Sequence, residues 1–251
     1  MRLLFVIFKW TFYASLTVLA VTWFTKDHLP AGDSYDLDLL TQPVQRITSR
    51  PGFSLEADGL TYVVEPKYSY ELYGVVVSYN DSDAFGDLWH KRVQDYVNIR
   101  DLCVMWGENV ELDMQQRMRF SNGSFTCYAT SLDHETGSEF NYNELSNNHI
   151  LVEDNVVKRA LMSADVGDHI RMKGSLVHYI NTETSFTRRT STTRNDTGNG
   201  ACETVFVDEF EIIKKTNRGT RQLHDASRWL AGISFIGFLV LAFFAPVRFK
   251  H

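Results

Sequence analysis

Cysteine is scarce in this chain of 251 residues: Cys103, Cys127 and Cys202 are the only three, too far apart for a zinc site. Positive charge is outnumbered, 25 Lys and Arg against 31 Asp and Glu, for a net charge of −6. That balance lacks the broad basic surface of a nucleic-acid binder, so nucleic acid is not an expected partner. No H-E-x-x-H, P-loop, G-x-S-x-G elbow or Rossmann glycine pattern occurs. The reading therefore leaves enzymatic activity open while favouring a non-enzyme, with no catalytic residue, metal ligand or cofactor assigned. Among the domain histidines (His90, His134, His149, His169 and His178) no close helical pair stands out, and packing roles are expected.

What the sequence does contain is two long apolar runs. The first, Leu3 to Phe24, carries one charge, Lys9, near its start; the second, Trp229 to Pro246, carries none. Each approaches the roughly 20 residues a helix needs to cross a bilayer. Trp10, Trp23 and Trp229 lie near run ends, as interfacial aromatics do. The first run exceeds the apolar part of a secretory signal and lacks an A-x-A site, so an uncleaved signal anchor is expected. Along it Thr11, Ser15, Val18 and Thr22 share one helical stripe, with Ala14 beside them. In lipid such a stripe marks helix contact, with the second run or with another protein.

Arg2 and Lys9 open the first run, and Arg248 and Lys250 trail the second. These favour a two-pass protein of the cell (inner) membrane with cytoplasmic termini and a periplasmic or extracellular domain. Lys214, Lys215, Arg218, Arg221 and Arg228 weigh the other way. The expected division is a transmembrane helix at 3–24, a stalk at 25–66, a β-rich domain at 67–213, a basic juxtamembrane segment at 214–228 and a second transmembrane helix at 229–246. Pro30, Pro43, Pro51 and Pro66 motivate the stalk. The basic segment suits lipid headgroups or an acidic partner surface.

Between the anchors, 71–79, 102–106 and 204–213 read as strands and 87–96 as a short helix. Asn122-Gly123 sits between alternating runs and predicts a hairpin turn. Asp154 predicts a cap for a helix to Ser163, with Val156, Val157, Ala160 and Leu161 inward. In 166–179, Ile170 and Met172 alternate with Arg171 and Lys173 until Gly174 breaks the pattern.

The run Val166-Gly167-Asp168-x-Ile170-x-Met172-x-Gly174-x-Leu176 resembles the strand opening of OB-fold-like small barrels. That resemblance implies a partly open five-stranded barrel. The whole chain is similar to an uncharacterised bacterial family of membrane-anchored proteins, a likeness that implies no activity. The expected fold class is membrane-anchored α+β, mainly β, with terminal helices flanking an OB-like extracytoplasmic domain.

Arg188, Arg189 and Arg194 lie among hydroxyls and glycines in the 187–200 loop, a composition suited to gripping an anion or to a plain solvated loop. Asp81, Asp83 and Asp87 form an acidic loop, but Phe85 and Arg92 break calcium-loop spacing. Outside the cytoplasm Cys202 is expected in a disulfide with Cys103 or Cys127. Three functions remain: an accessory, interaction subunit that docks on a membrane-embedded protein partner or forms a homo-oligomer; a membrane-anchored binding module or sensor for an anionic ligand; and, ranked last, a hydrolase or metal enzyme built from dispersed His, Asp and Glu residues.

Overall fold

A computed structural model describes residues 2–196 and 201–244. They fall into two compact units: one holds the chain up to His28 and from Asn217 onward, the other Leu29–Thr216. The chain opens with helix α1 (Arg2–Thr25).

The larger unit is built on one long strand. The segment expected as a stalk, 25–66, carries β1 (Val44–Ile47) and β2 (Phe53–Ala57), each antiparallel to β3 (Leu60–Asp81). Its prolines are compatible with pairing because they sit where the ladder does not need an N–H. Pro43 precedes β1, Pro51 separates β1 from β2, and Pro66 adjoins a register shift in β3.

After β3 come α2 (Trp89–Val93), β4 (Asn98–Met105) and two short helices, α3 (Glu108–Glu111) and α4 (Met114–Arg117). A separate hairpin follows, β5 (Met118–Gly123) and β6 (Thr126–Ser131), then α5 (His134–Glu139) and β7 (Leu145–Leu151). Helix α6 (Asn155–Met162) leads to β8 (His169–Asn181), the short β9 (Thr187–Arg188) and β10 (Glu203–Lys214). Asp154 caps α6 through Val156 N and Val157 N at 2.6 and 3.0 Å, satisfying orphan amides. Leu161 of α6 is buried, whereas Val156 points outward at 65% exposure.

Five strands close a ring. β3 pairs with β4, β4 with β7, β7 with β10, β10 with β8, and β8 returns to β3; of these only β7–β10 is parallel. Closure removes the free edges that an open sheet would expose. Leu72, Val76, Val104, Ile150, Met172 and Val205 pack in the principal core. Alternation puts Ile170 and Met172 of β8 inward, with Arg171 and Lys173 outward. Gly174 is required by proximity: a Cβ there would stand 2.0 Å from the Phe206 carbonyl oxygen. The β10 register shifts immediately beyond, between Val207 and Glu209.

Two expectations are corrected here. The disulfide joins Cys103 to Cys127, with Cα atoms 5.8 Å apart, and Cys202 is free. Pairing follows from the hairpin, which lays β6 over β4 and so brings Cys127 to Cys103, whereas Asn147 of β7 contacts the Cys202 sulfur at 3.7 Å. The hairpin turn itself is displaced. Asn122 pairs with Cys127 and Gly123 with Thr126, so Ser124 and Phe125 make the turn. Asn122 is retained in the strand by side-chain bonds to Ser78 and to Asn147. Phe125 takes a φ of 65°, a region that L residues rarely occupy.

The smaller unit pairs α1 with the last helix, α7 (Arg218–Phe244). Both are candidate membrane spans by length and composition, Leu3–Thr25 and Arg218–Phe244. Helix α7 begins inside the segment expected as juxtamembrane, and Pro246, Arg248 and Lys250 lie outside the described residues. Ser15 and Thr22 of the stripe are buried while Thr11 and Val18 are half-buried. Thr22 Oγ1 lies 2.8 Å from His224 Nδ1, and Phe5 and Phe12 meet Phe238 and Phe235 at 4.9 and 5.4 Å. Gly237 lets Phe8 approach, since a Cβ there would stand 2.8 Å from its ring.

Candidate functional site

The three arginines of the 187–200 loop line one cleft of 1010 Å³, together with Phe125 and Cys127 of the hairpin, Asn147 of β7, and Cys202 and Glu203. The loop joins β8 to β10, so two barrel strands fix its ends. Residues 197–200 of it lie outside the described residues.

Arg188 is held by a chain of buried polar groups that starts at Asp87, just before α2. Asp87 accepts from Trp89 N and His90 N, both at 3.1 Å, and lies 2.7 Å from His90 Nδ1. Asn98 Nδ2 lies 2.9 Å from His90 Nε2 and donates to Asp101 Oδ1 at 2.7 Å, while Asn98 Oδ1 accepts from Ile150 N. The amide can only donate through nitrogen, so His90 is protonated at Nδ1 and donates to Asp87. His149 Nδ1 is 2.6 Å from Asp101 Oδ1, and His149 Nε2 is 2.8 Å from Arg188 Nη1. A guanidinium only donates, which fixes the proton on His149 Nδ1, aimed at Asp101.

The second Asp101 oxygen accepts from Phe125 N at 2.6 Å, so the tertiary contact sets the displaced hairpin turn. The Phe125 ring then lies 4.0 Å from His90 and 4.1 Å from the Arg188 guanidinium. Asp95 accepts from Tyr179 Oη at 2.7 Å and stands 3.8 Å from Arg188 Nε. Burial pushes the His149 imidazole down, and Arg188 adds to the effect against the pull of Asp101. Against the upward push of burial, His149 and Asn98 hold Asp101 below the usual carboxylate range. Burial raises Asp95 despite Tyr179 and Arg188.

Arg194 pairs with Glu203 and lies over the rings of Tyr70 and Trp106, 5.6 and 5.9 Å from their centres. Glu203 is 1% exposed, and burial pushes its carboxyl up to about 7 in spite of Arg194. Among the described residues its Oε2 and Arg194 Nη2 have no hydrogen-bond partner. Arg189 is exposed, and its guanidinium makes no ion pair among the described residues. It lines both this cleft and a smaller one of 420 Å³ beside Lys67 and His178. Burial pushes the Cys202 thiol up, which disfavours a reactive thiolate.

The remaining sequence candidates lie elsewhere. Asp81 pairs with Arg100 at 2.5 Å and Asp87 caps α2, which gives two of the three loop carboxylates structural roles. His169 and His178 share β8 but stay apart. Among the described residues no three His, Cys, Asp or Glu converge to hold a metal ion. The sequence reading missed Asp101 and His149, which are direct register partners on β4 and β7. No local signal marks them, because β7 already carries Ser146, Asn147 and Asn148 and β4 carries Asn98 and Arg100.

Comparison with protein-family models, with curated proteins and with solved structures finds no match. The site is therefore read from its own residues.

Proposed function

We propose that the chain is a non-catalytic, membrane-anchored binding module whose β-rich domain takes an anionic ligand in the arginine-lined cleft. The observation that carries this reading is Arg188, fixed by His149 on one side and Phe125 on the other, beside Arg189, which makes no ion pair among the described residues. A guanidinium held in place loses little freedom on meeting an oxyanion.

The ring order supports an OB-like reading. Taking β3, β4, β7, β8 and β10 as strands one to five, the order around the ring is one, two, three, five, four, with a helix between three and four. OB barrels bind on the face of strands two and three under the loops after strands one and four. Here the third strand, the loop after the fourth and the inserted hairpin enclose the cleft.

The two apolar helices and the Cys103–Cys127 disulfide support a two-pass protein with its domain outside the cytoplasm. A reporter fused after Ser82 should be active outside the cytosol; activity only inside it would reverse the orientation. For the accessory-subunit reading the stripe no longer argues, because Ser15 and Thr22 are buried and Thr22 meets α7 of the same chain. A complex larger than one chain after mild solubilisation would restore it. The binding reading is tested by thermal stabilisation of the solubilised protein with phosphate, sulfate and citrate. Stabilisation lost in Arg189→Ala is expected, and no stabilisation by any of the three counts against it.

A further inference from the structure

The cleft presents two kinds of unmet demand side by side. Arg188, Arg189 and Arg194 offer only donors and positive charge, so a ligand must bring acceptor oxygens to them. Glu203, in the same lining, leaves Oε2 buried and without a hydrogen-bond partner among the described residues. An ionised carboxylate only accepts, so beside a bound anion it demands that the anion also donate a proton, or else that Glu203 carry one itself. A buried acceptor without a partner is costly, and one facing a second negative charge is costlier still.

Few anionic heads satisfy both demands. An ionised carboxylate and a sulfate have acceptors and no proton to give. A hydrogen phosphate has both in one tetrahedral group. We propose that the cleft is a receptor for a phosphate group, with the arginines taking its oxygens and Glu203 sharing one proton with it. This deepens the anion-binding reading and rests on it.

The size of the cleft, 1010 Å³, exceeds what a bare phosphate fills, and Phe125, Tyr142 and Phe186 line it. The phosphate is thus carried on an organic body that these rings contact, as in a phosphomonoester. The charged and titrating groups around Glu203 are Arg194 and Asp196 on the loop that leads into β10, the adjacent Cys202, and Tyr70 from β3. Asp196 is already engaged by Ser191 Oγ at 2.5 Å, which leaves Glu203 as the proton partner.

The test uses the full chain in detergent or nanodiscs, with inorganic phosphate and sulfate as probes at pH 6 and pH 8. At pH 6 a protonated Glu203 donates to either ion, and comparable affinities are expected. At pH 8 only phosphate still brings its own proton, so sulfate should weaken at least tenfold while phosphate changes less than threefold. Glu203→Gln, whose amide donates at any pH, should let sulfate bind as well at pH 8 as at pH 6. Arg189→Ala should weaken both ions at both pH values.

Equal binding of phosphate and sulfate by the wild type at pH 8 would overturn the phosphate assignment. If Arg189→Ala still weakened both, the anion-binding reading would survive that result. Citrate binding without phosphate binding has the same meaning, and binding of none of the three removes both proposals. The wild-type comparison does not depend on any variant folding. Nanodiscs of phosphatidic acid against phosphatidylcholine identify the source: a weaker apparent phosphate affinity in the former points to a lipid headgroup, and an unchanged one to a soluble ester.

Discussion

Arg188 Nη1 donates to His149 Nε2 at 2.8 Å, and this one bond ties a loop named for its arginines to a buried polar cluster on the outer face of β4 and β7. Everything from Asp87 to Asp101 stands behind it, so the loop's geometry is set by strands far away in sequence.

Arg188→Ala should therefore cost stability as well as binding. It strips His149 Nε2 of its donor and Phe125 of its cation, a loss of about 2 kcal/mol from an unsatisfied buried nitrogen and a lost ring contact. Arg188→Lys should recover less than half, because a point charge cannot serve His149 and lie over the ring together. Urea unfolding followed by tryptophan fluorescence measures both; an unchanged midpoint for the alanine variant would contradict the role assigned to Arg188.

Glu203 makes an alkaline prediction. Its carboxyl is raised from 4.5 to about 7 in the folded chain, so folding favours its protonated form. That contribution is complete below pH 4.5 and is lost as pH rises through 7, by linkage. Glu203→Gln should flatten the decline between pH 5 and 8, read from thermal midpoints across that range. A decline of the same slope in the variant would exclude Glu203 as its source.

The histidines act in the opposite sense. His149, His169 and His178 are all pushed below 6.5 by burial first, so the fold holds them neutral. Their contribution is present above 6.5 and is lost as pH falls through the lowered values. Among the described residues neither ring nitrogen of His169 is bonded, so His169→Asn should leave a shallower acid limb than the wild type. Acid titration followed by near-ultraviolet dichroism gives the comparison.

The disulfide prediction is chemical. Peptide mapping without reduction should find Cys103 joined to Cys127, and Cys202, half-buried in the cleft lining, as a free thiol. Closing that loop, with a sequence separation of 24, stabilises by about 3.5 kcal/mol in the chain-entropy model. Cys202→Ser should leave the mapping intact, and a bridge involving Cys202 would refute the pairing.

Gly174→Ala probes ring closure directly. With a Cβ 2.0 Å from the Phe206 carbonyl, β8 and β10 must separate, at a cost of roughly 3 kcal/mol or more. Hydrogen exchange should rise on both strands rather than on the hairpin.

The terminal helices were legible because length and apolarity alone define them, and the strand at 169–181 because its alternation is regular up to Gly174. The stalk was misread because prolines were taken as breakers, whereas Pro43, Pro51 and Pro66 occupy strand ends and a register shift. The hairpin was found and its turn misplaced, since the Asn-Gly rule is local and the Phe125–Asp101 contact is not. Arg188, Arg189 and Arg194 were visible as a cluster; the residues that fix Arg188 come from β4, β7 and the α2 region, and their convergence depends on ring pairing that no local pattern records.

Within the larger unit Lys214 donates to the carbonyl of Ser34, and Thr216 N donates to Asp168 at 2.9 Å, so the chain leaves this unit close to where it came in. A flexible connector of roughly 190 residues would cost about 5 kcal/mol in closure entropy to bring α7 back to α1. The folded barrel removes that cost by returning its own ends together.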